Sequence, residues 1–369
     1  MKITRIAVTH HDIALDPVFH PSWDGRPRPR FGAAVIRVET DAGFTGFGSG
    51  DAMPGFAGHE ELFLGRDPLD MARHYGVIES LSFHYGKHWP LDLALWDIAG
   101  KAAGKPVWQL LGGTDPSLSA YASLGQRRGL EETVEAVART IEEGFPAVKL
   151  RFWRDDWRDE VLIVEAVCKA HGDRVALMVD CNQAWRMPWD TAPSRGADEA
   201  LEIIRALAPL DLTWIEEPIF RGDYEGLKRL RREGRIPIAG GELTREPHEA
   251  RFMVDYGCFD VLQADAALAG GISGLAPIAR HCRERGVIFT PHTWGNGIML
   301  AAALHLTAGT CRPPYIEFPY DPPYFGNDAR DFMLTTPFRT DAAGRLHLGQ
   351  APGLGIDIDE DRLMATRIG

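Results

Sequence analysis

The chain has 369 residues, of which 45% are hydrophobic, and its formal net charge at pH 7 is −12. This composition predicts a globular protein with room for a barrel and a smaller domain. The acidic balance argues against nucleic acid or an anionic membrane surface as a partner, and no apolar run is long enough to span a bilayer. Five scattered cysteines without a C-x-x-C pair indicate a reduced, cytoplasmic protein.

Residues 1–116 predict an α+β domain in which strands come first and helices follow. Residues 2–13 and 33–50 alternate like strands, with a hairpin turn at Asp41–Gly43. Residues 16–31 between them are rich in Pro, Gly and Arg and predict a loop. The helical segments that follow are residues 59–65, 67–79 and the long stretch 89–113.

From residue 117 to residue 324, short apolar runs alternate with amphipathic segments of helical period. Eight such strand–helix units predict an α/β fold, a (β/α)₈-type barrel of parallel strands. The predicted strands are residues 117–125, 146–152, 175–182, 212–218, 236–242, 260–265, 287–292 and 315–318. The last segment, residues 325–369, has turns and short strands, and we expect it to rejoin the N-terminal domain because chain ends tend to lie close together.

Three consecutive barrel strands end on a carboxylate, namely Asp180, Glu216 and Glu242. Parallel strands end together, so these acids should converge on one small volume, where they would repel one another without a cation. All-oxygen ligation favours a hard divalent ion, Mg²⁺ first and Mn²⁺ second. Each acid alone could be an ordinary helix cap or surface group, but three at neighbouring strand ends predict a metal site.

Other polar residues also end barrel strands. Lys149 and Arg151 are two residues apart and should point to the same side of their strand, as Asp180 and Asn182 should on the next. His292 lies one strand from Asp265, which could hold one ring nitrogen and leave the other free as a base or acid. Glu317 ends the last strand.

These residues resemble the motifs of the enolase superfamily, specifically its mandelate racemase subgroup, and the similarity covers essentially the whole chain. The matching motifs, in order, are K-x-[K/R] at Lys149 and Arg151, D-x-N at Asp180 and Asn182, IEEP at Ile215–Pro218, GGE at Gly240–Glu242, Asp265, PH at His292, and IE at Glu317.

The resemblance implies a role for each matching residue. Asp180, Glu216 and Glu242 correspond to Mg²⁺ ligands. The pair His292 and Asp265 corresponds to an acid/base dyad. Glu317 corresponds to the group that hydrogen-bonds the substrate carboxylate and its enolate, and Lys149 to the lysine on the opposite face.

The resemblance also implies that residues 1–116 and the C-terminal segment form a capping domain. Its loops at residues 20–30 and 49–56 would close over the site. In these loops His20, Trp23 and Asp51 are candidate substrate-binding residues, and Arg151 and Asn182 are candidates in the barrel.

The implied reaction is Mg²⁺-dependent removal of the proton α to a carboxylate. Arg151 departs from the racemase-like members, which have a second lysine there, and arginine is a poor base but a good bidentate binder of carboxylates. We therefore predict a lyase, a sugar-acid dehydratase that gives a 2-keto-3-deoxy acid.

The alternatives are a racemase, epimerase or lactone cycloisomerase on the same scaffold and, less favoured, a binder without turnover. In each case the predicted partner is a small-molecule carboxylate, and we expect a homo-oligomer.

Overall fold

The computed structural model describes residues 1–50 and 52–369. The N-terminal region forms an antiparallel sheet from β1 (Ile3–Phe19), β2 (Arg28–Thr40) and β3 (Thr45–Gly50). The predicted hairpin turn at residues 41–43 is present, and Gly43 adopts φ 82° there while its N–H donates to the Thr40 carbonyl.

The predicted loop at residues 16–31 is too long. β1 continues to Phe19 and β2 already begins at Arg28, so only residues 20–27 connect the two strands. Their pairing tolerates Pro17 because the register shifts between Ala14 and Phe19, where a ladder N–H is not needed.

The helices of this region are α1 (Met71–Tyr85), α2 (Pro90–Ala103) and α3 (Val107–Leu110). The predicted helix over residues 89–113 is therefore split, because Gly104 ends α2 in the left-handed region and Pro106 precedes α3. Within residues 59–65 only a 3₁₀ turn forms, at Glu60–Leu62.

Helix α2 lies directly on strand β3. A Cβ atom on Gly48 would lie 1.9 Å from the Pro90 carbonyl oxygen, so only glycine permits this approach. The contact fixes the sheet against the helix that follows it in the chain.

Eight parallel strands form the barrel in the described residues, in the order β10-β9-β8-β7-β6-β5-β4-β11. Their bounds are β4 Ser117–Ser123, β5 Ala147–Arg151, β6 Ala176–Asp180, β7 Ile215–Glu216, β8 Ile238–Gly240, β9 Val261–Leu262, β10 Ile288–Phe289 and β11 Ile316–Pro319. Side-chain hydrogen bonds span the gap between β10 and β11, because Thr290 Oγ1 donates to the Tyr315 carbonyl and Thr293 Oγ1 to the Glu317 carbonyl, both over 2.9 Å. The predicted (β/α)₈-type barrel with its N-terminal cap is confirmed.

Helices follow the barrel strands and cover them from outside. They are α4 Leu130–Glu142, α5 Trp157–His171, α6 Ala197–Leu207, α7 Tyr224–Glu233, α8 Pro247–Tyr256, α9 Gly271–Glu284 and α10 Gly297–Thr310. Every residue of α10 is buried, since α3, α9 and β3 pack around it. In the part of the chain that the structure describes, no helix is long and apolar enough to cross a membrane.

The C-terminal segment contacts both the barrel and the cap. It contains α11 (Asn327–Arg330), β12 (Arg345–His347), α12 (Glu360–Thr366) and β13 (Arg367–Ile368). β12 pairs with β4 of the barrel, whereas β13 pairs with β1 of the cap sheet. The segment therefore completes the cap sheet, as expected, and also adds a strand to the barrel; the domain boundaries at residues 116 and 324 remain a prediction.

Candidate active site

Three carboxylates from neighbouring strand ends meet inside the barrel mouth. Asp180 is the last residue of β6, Glu216 is the last residue of β7, and Glu242 follows β8 by two residues. One carboxylate oxygen of each lies within 4.8 Å of the others, and all three residues are buried. Oε2 of Glu242 has no hydrogen-bond partner among the described residues. This group of acids could hold a metal ion, and its all-oxygen donor set suits a hard divalent cation.

Two cations from β5 lie among these acids. Lys149 Nζ is 2.8 Å from Glu216 Oε1, 2.8 Å from Glu317 Oε1 and 3.6 Å from Asp180 Oδ2. Arg151 Nη1 is 2.6 Å from Asp180 Oδ2. The two cations face the same side of the strand, as expected from their spacing. The triad with Glu317 provides four carboxyl groups beside two cations, and a bound divalent cation would favour the ionised form of these carboxyl groups.

The charges around Lys149 fix its protonation state. Burial alone would lower the pKa of its ammonium, but the carboxylates of Glu216 and Glu317 outweigh burial and raise that pKa well above its usual value. Burial raises the pKa of Glu216 to about 7, although Lys149 opposes it. The pKa of Glu317 is lowered despite burial, because Lys149 and His292 stabilise its charged form. Lys149 is thus an ammonium held by carboxylates.

His292 and Asp265 form a hydrogen-bonded pair on the far side of the triad. His292 Nδ1 lies 2.9 Å from Asp265 Oδ2, and Asp265 Oδ1 accepts from the Ala267 N–H over 2.7 Å. The other ring nitrogen, Nε2, lies 3.6 Å from Glu242 Oε2. Burial lowers the pKa of His292, but Glu242 and Asp265 outweigh burial and raise it to about 9. The geometry therefore orients one ring nitrogen and leaves the other on the side of the metal triad.

Arg151 directs its donors to protein acceptors. Nε donates to the Leu124 carbonyl over 2.9 Å, Nη2 to Ser123 Oγ over 3.3 Å and Nη1 to Asn182 Oδ1 over 3.4 Å, besides the contact with Asp180. Asn182 adopts φ 48° and donates its N–H to Asp180 Oδ1 over 2.8 Å. Both residues thus hold the carboxylate of Asp180, and their assignment as substrate-binding residues remains a prediction.

The cap segment of residues 20–27 is docked on the loop after β4. Ser22 N–H donates to the Gly125 carbonyl over 2.8 Å, and Arg127 N–H donates to the His20 carbonyl over 2.9 Å. The indole of Trp23 covers Arg151, whose guanidinium carbon lies 4.6 Å from the ring centroid. The side chain of His20 is exposed and does not line the cavity above the triad, whereas Trp23 does. Asp51 lies outside the described residues.

A cavity of about 320 Å³ connects the cap to the barrel mouth. Glu242, His292 and Arg151 line it on the barrel side. The cap contributes aromatic and arginine side chains that include Trp23 and Arg30. Two of the predicted catalytic and metal residues therefore border a space in which a small molecule fits.

The sequence analysis missed three residues of the site. Two bind its carboxylates directly, and the third binds Ser123, which accepts from Arg151. Gln263 Nε2 donates to Glu216 Oε2 over 2.7 Å, Trp185 Nε1 donates to Glu242 Oε1 over 2.8 Å, and Trp294 Nε1 donates to Ser123 Oγ over 2.7 Å. Gln263 precedes Asp265 by two residues and Trp294 follows His292 by two, so strand alternation could have indicated both. Trp185 lies in a loop and carries no such signal.

Comparisons with known proteins identify relatives of this chain. Residues 132–362 match a family model described as enolase C-terminal domain-like. A D-galactarolactone cycloisomerase from Agrobacterium fabrum is 28% identical and aligns over 100% of this chain and 99% of its own. An arabinonate dehydratase from Saccharolobus solfataricus is 31% identical over 73% of this chain and 68% of its own.

Among solved structures, a racemase from Streptomyces coelicolor with bound magnesium superposes with a TM-score of 0.84 at 25% identity, covering 99% of this chain and 100% of its own. The family match covers more than half of the chain, and the motif residues converge at one barrel mouth. The chain therefore belongs to the enolase superfamily, among its members related to mandelate racemase and muconate lactonizing enzyme.

Proposed function

We propose that this protein is a Mg²⁺-dependent lyase that removes the proton α to the carboxylate of a sugar acid and then eliminates water to give a 2-keto-3-deoxy acid. The observation that carries the proposal is the oriented pair His292–Asp265 facing Glu242 of the metal triad beside one cavity. Relatives include dehydratases of arabinonate and D-galactonate, which act on substrates of this class.

Asp180, Glu216 and Glu242 would hold the Mg²⁺ ion. The convergence of three buried oxygens and the unpaired Oε2 of Glu242 support this assignment. When bound, the cation supplies positive charge that stabilises the negative charge developing on the substrate carboxylate. Trp185 and Gln263 hold two of the ligand carboxylates by hydrogen bonds and so restrict their orientation.

His292 would be the base. Its Nδ1 is fixed by Asp265, so Nε2 accepts the α-proton while Asp265 stabilises the imidazolium without taking the proton. Glu317 would hydrogen-bond the substrate, as the resemblance implies. Its contacts with the Thr293 N–H, over 2.6 Å, and with Lys149 support this assignment because they fix its carboxylate beside the triad.

A single base supports elimination over racemisation. Racemisation through a planar enolate needs a base on each face of the substrate. Lys149 is completely buried and paired with two carboxylates, and Arg151 is not a base near neutral pH. His292 is then the one candidate base that borders the cavity in the described residues. Glu242 is the main group that raises its pKa, so a cation held by Glu242 would lower that pKa and favour the neutral imidazole.

Lactone cycloisomerisation is a second candidate, because a cycloisomerase aligns with the whole of this chain. That reaction also begins with removal of an α-proton by one base. The two candidates differ in the group that leaves from the β-carbon.

The test is a screen of the Mg²⁺-loaded protein against aldonic acids, aldaric acids and their lactones. We expect 2-keto acid to form from at least one open-chain acid, with water as the second product, and to stop on addition of EDTA. Ring opening of a lactone without loss of water would favour the second candidate. Absence of both products and of α-proton exchange from every acid would contradict the proposal.

A further inference from the structure

We propose that Asp92 on the cap helix α2 positions the pair His292–Asp265 of the barrel, because it holds the start of α9 and with it the loop that carries Asp265. Asp92 does not line the cavity, and its hydrogen bonds in the described residues go to α9 and not to the metal triad. The inference rests on the proposed function for the role of the pair as base, and it assigns a residue that acts on that pair from outside the cavity.

The first contact joins Asp92 to the first turn of α9. Asp92 Oδ2 accepts the Ser273 N–H over 3.0 Å, and Oδ1 accepts the Ser273 hydroxyl over 2.6 Å. Trp96, one turn further along α2, donates its Nε1–H to the same hydroxyl oxygen over 2.9 Å. The approach is close, since a Cβ atom on Gly271 would lie 2.3 Å from Asp92 Oδ2. Two side chains of α2 therefore bind the start of α9.

The negative charge of Asp92 is directed at the same point. The residue is only 1% exposed, and burial raises the pKa of its carboxyl group to about 6. The groups that oppose burial are hydrogen-bond donors of α9, on Ser273 and Ile272. The N-terminus of a helix also carries the positive end of the helix dipole, which favours a carboxylate there. Loss of the charge would therefore weaken the contact between α2 and α9.

The second contact joins the start of α9 to Asp265. Residues 265–271, here called the Asp265 loop, are all buried. At the end of this loop the Gly271 N–H donates to the Ala266 carbonyl over 2.9 Å, and the Asp265 carbonyl accepts the Ala269 N–H over 2.8 Å. A short, buried and hydrogen-bonded segment has little freedom to absorb a displacement. A shift at the start of α9 is therefore transmitted to Asp265.

The third contact joins the Asp265 loop to the imidazole of His292. One carboxylate oxygen of Asp265 accepts the Ala267 N–H of the loop, and the other lies 2.9 Å from His292 Nδ1. Leu268 of the same loop lines the cavity. The orientation of the imidazole therefore depends on the loop, and a displacement of about 1 Å at a reacting group can lower a rate by about 10²-fold.

Asp97 provides a matched control on the same helix. It is also a buried aspartate, and it accepts the Phe47 N–H over 3.0 Å and the Leu354 N–H over 2.8 Å and pairs with Lys101 over 2.8 Å. These partners belong to the cap and the C-terminal segment, not to the Asp265 loop. We therefore expect Asp97→Asn to lower the unfolding temperature without affecting the imidazole of His292.

The experiment measures the Nδ1 proton of His292 by NMR in the full-length, Mg²⁺-loaded protein at about pH 8, where Asp92 is ionised. This proton is the downfield imidazole resonance that is absent from His292→Asn. We expect Asp92→Asn, which keeps the shape but loses the charge, to accelerate exchange of this proton with water by about tenfold or more. Ser273→Ala should act in the same direction by a smaller factor, and Asp97→Asn should leave the exchange rate unchanged.

Kinetics test whether Asp92 acts through Asp265. On an acid that the wild-type protein converts, Asp92→Asn should lower kcat by about 10- to 10²-fold, with KM and Mg²⁺ affinity nearly unchanged. In the Asp265→Asn protein, the same substitution should lower kcat by less than about twofold, because the residue through which it acts is already altered.

An unchanged exchange rate in folded Asp92→Asn overturns the proposal, and so does an equal acceleration in Asp97→Asn, which would indicate general loosening of the cap. Additive losses of kcat in the double variant also overturn it. If Asp92→Asn does not fold, the exchange rate in Ser273→Ala decides in its place. Failure of the wild-type protein to exchange an α-proton with any acid would refute the proposed function, whereas the NMR measurement would still decide whether Asp92 positions the pair.

Discussion

Lys149 and His292 are both basic residues beside the metal triad, yet their surroundings give them different chemistry. Lys149 is held by carboxylates that keep its pKa high, so it neither gives up its proton near neutral pH nor reaches the cavity. His292 has one nitrogen fixed by Asp265 and the other on the cavity side. This asymmetry is the reason to expect one-sided proton transfer.

Proton transfer through His292 alone predicts the stereochemical outcome in D₂O. Unreacted substrate should be recovered without inversion at C2, and any deuterium gained should appear with retained configuration, because only one face meets a base. NMR and chiral chromatography of the recovered substrate measure this. Inversion at a rate comparable to turnover would require a second base, for which Lys149 is the candidate.

We expect substitutions in the pair His292–Asp265 to lower the rate of catalysis without weakening Mg²⁺ binding. We expect His292→Asn to lower kcat by at least about 10²- to 10⁴-fold, the usual worth of a general base, with Mg²⁺ affinity nearly unchanged. Asp265→Asn should lower kcat by a smaller factor, because Asp265 orients the base and does not take the proton. Steady-state kinetics with calorimetric Mg²⁺ titration of both variants provide the comparison. A larger loss in Asp265→Asn would reverse the assigned roles.

We expect the loss of any one of the three acids Asp180, Glu216 and Glu242 to impair both Mg²⁺ binding and turnover. Loss of a residue that supports a metal ligand weakens metal binding by about 10- to 100-fold. We expect a larger loss of Mg²⁺ affinity, and no turnover, in each of the variants Asp180→Asn, Glu216→Gln and Glu242→Gln. Glu202→Gln is a matched control, since Glu202 is exposed on α6 away from the site. Unchanged Mg²⁺ affinity in any of the three variants would remove that residue from the metal site.

At the scale of elements, loops and helix ends connect the cap to the barrel. Asp321, after β11, accepts the N–H groups of Gly125 and Gln126 over 2.7 Å each and pairs with Arg128. Residues 125–127, in the loop after β4, in turn bind the cap segment of residues 20–27. The position of Trp23 over Arg151 therefore depends on a series of hydrogen bonds that starts after β11, the strand paired with β4.

Helix α10 is tied to α3 and to the C-terminal segment by one histidine. His305 Nδ1 accepts the Trp108 N–H over 3.0 Å, and Nε2 lies 3.1 Å from the Leu354 carbonyl, to which it donates as the neutral tautomer. Burial lowers the pKa of His305 from 6.5 to about 4. The ring is neutral in the folded protein because both nitrogens are used in this way.

His305 predicts a loss of stability in mild acid. Its folded pKa is depressed, so between pH 6.5 and about 4 the unfolded chain binds a proton that the folded chain does not, and stability falls as the pH falls through this range. At about pH 5, protonation of this histidine in the unfolded chain lowers the free energy of unfolding by about 2 kcal/mol. Urea unfolding at about pH 7 and about pH 5 should show a smaller acid loss in His305→Gln, which keeps one acceptor and one donor. An identical acid loss in both proteins would contradict the prediction.

At the scale of the whole molecule, barrel and cap share one site. The cap supplies Trp23, Arg28 and Arg30 to a cavity whose other end is Glu242 and His292 of the barrel. Bound Mg²⁺ reduces the repulsion among buried acids that the fold itself brings together. Metal binding should therefore be linked to global stability.

We expect Mg²⁺ to raise the unfolding temperature and EDTA to reverse the effect. At a Mg²⁺ concentration of 100 times Kd, linkage adds about 2.7 kcal/mol to the free energy of unfolding. Thermal unfolding by circular dichroism at several Mg²⁺ concentrations measures it, and Asp180→Asn serves as the comparison without a complete site. A rise of the same size in that variant would mean that Mg²⁺ stabilises the protein elsewhere.

The sequence by itself determined the barrel and the central part of the site. Strand–helix alternation at regular spacing implies parallel strands that end together, so the convergence of Asp180, Glu216 and Glu242 follows from chain order alone. The pairing of His292 with Asp265 follows for the same reason, because neighbouring strands place their ends side by side.

Tertiary structure alone decided which donors are available and what covers the site. Arg151 lines the cavity, and its substrate-binding role remains a prediction. Its donors also contact Leu124, Ser123 and Asp180, which lie 27, 28 and 29 residues away in the sequence. Phe19, Trp294 and Phe325 come from distant parts of the chain and form one wall only when the cap closes on the barrel. Such contacts depend on packing between elements, and no local pattern in the sequence encodes them.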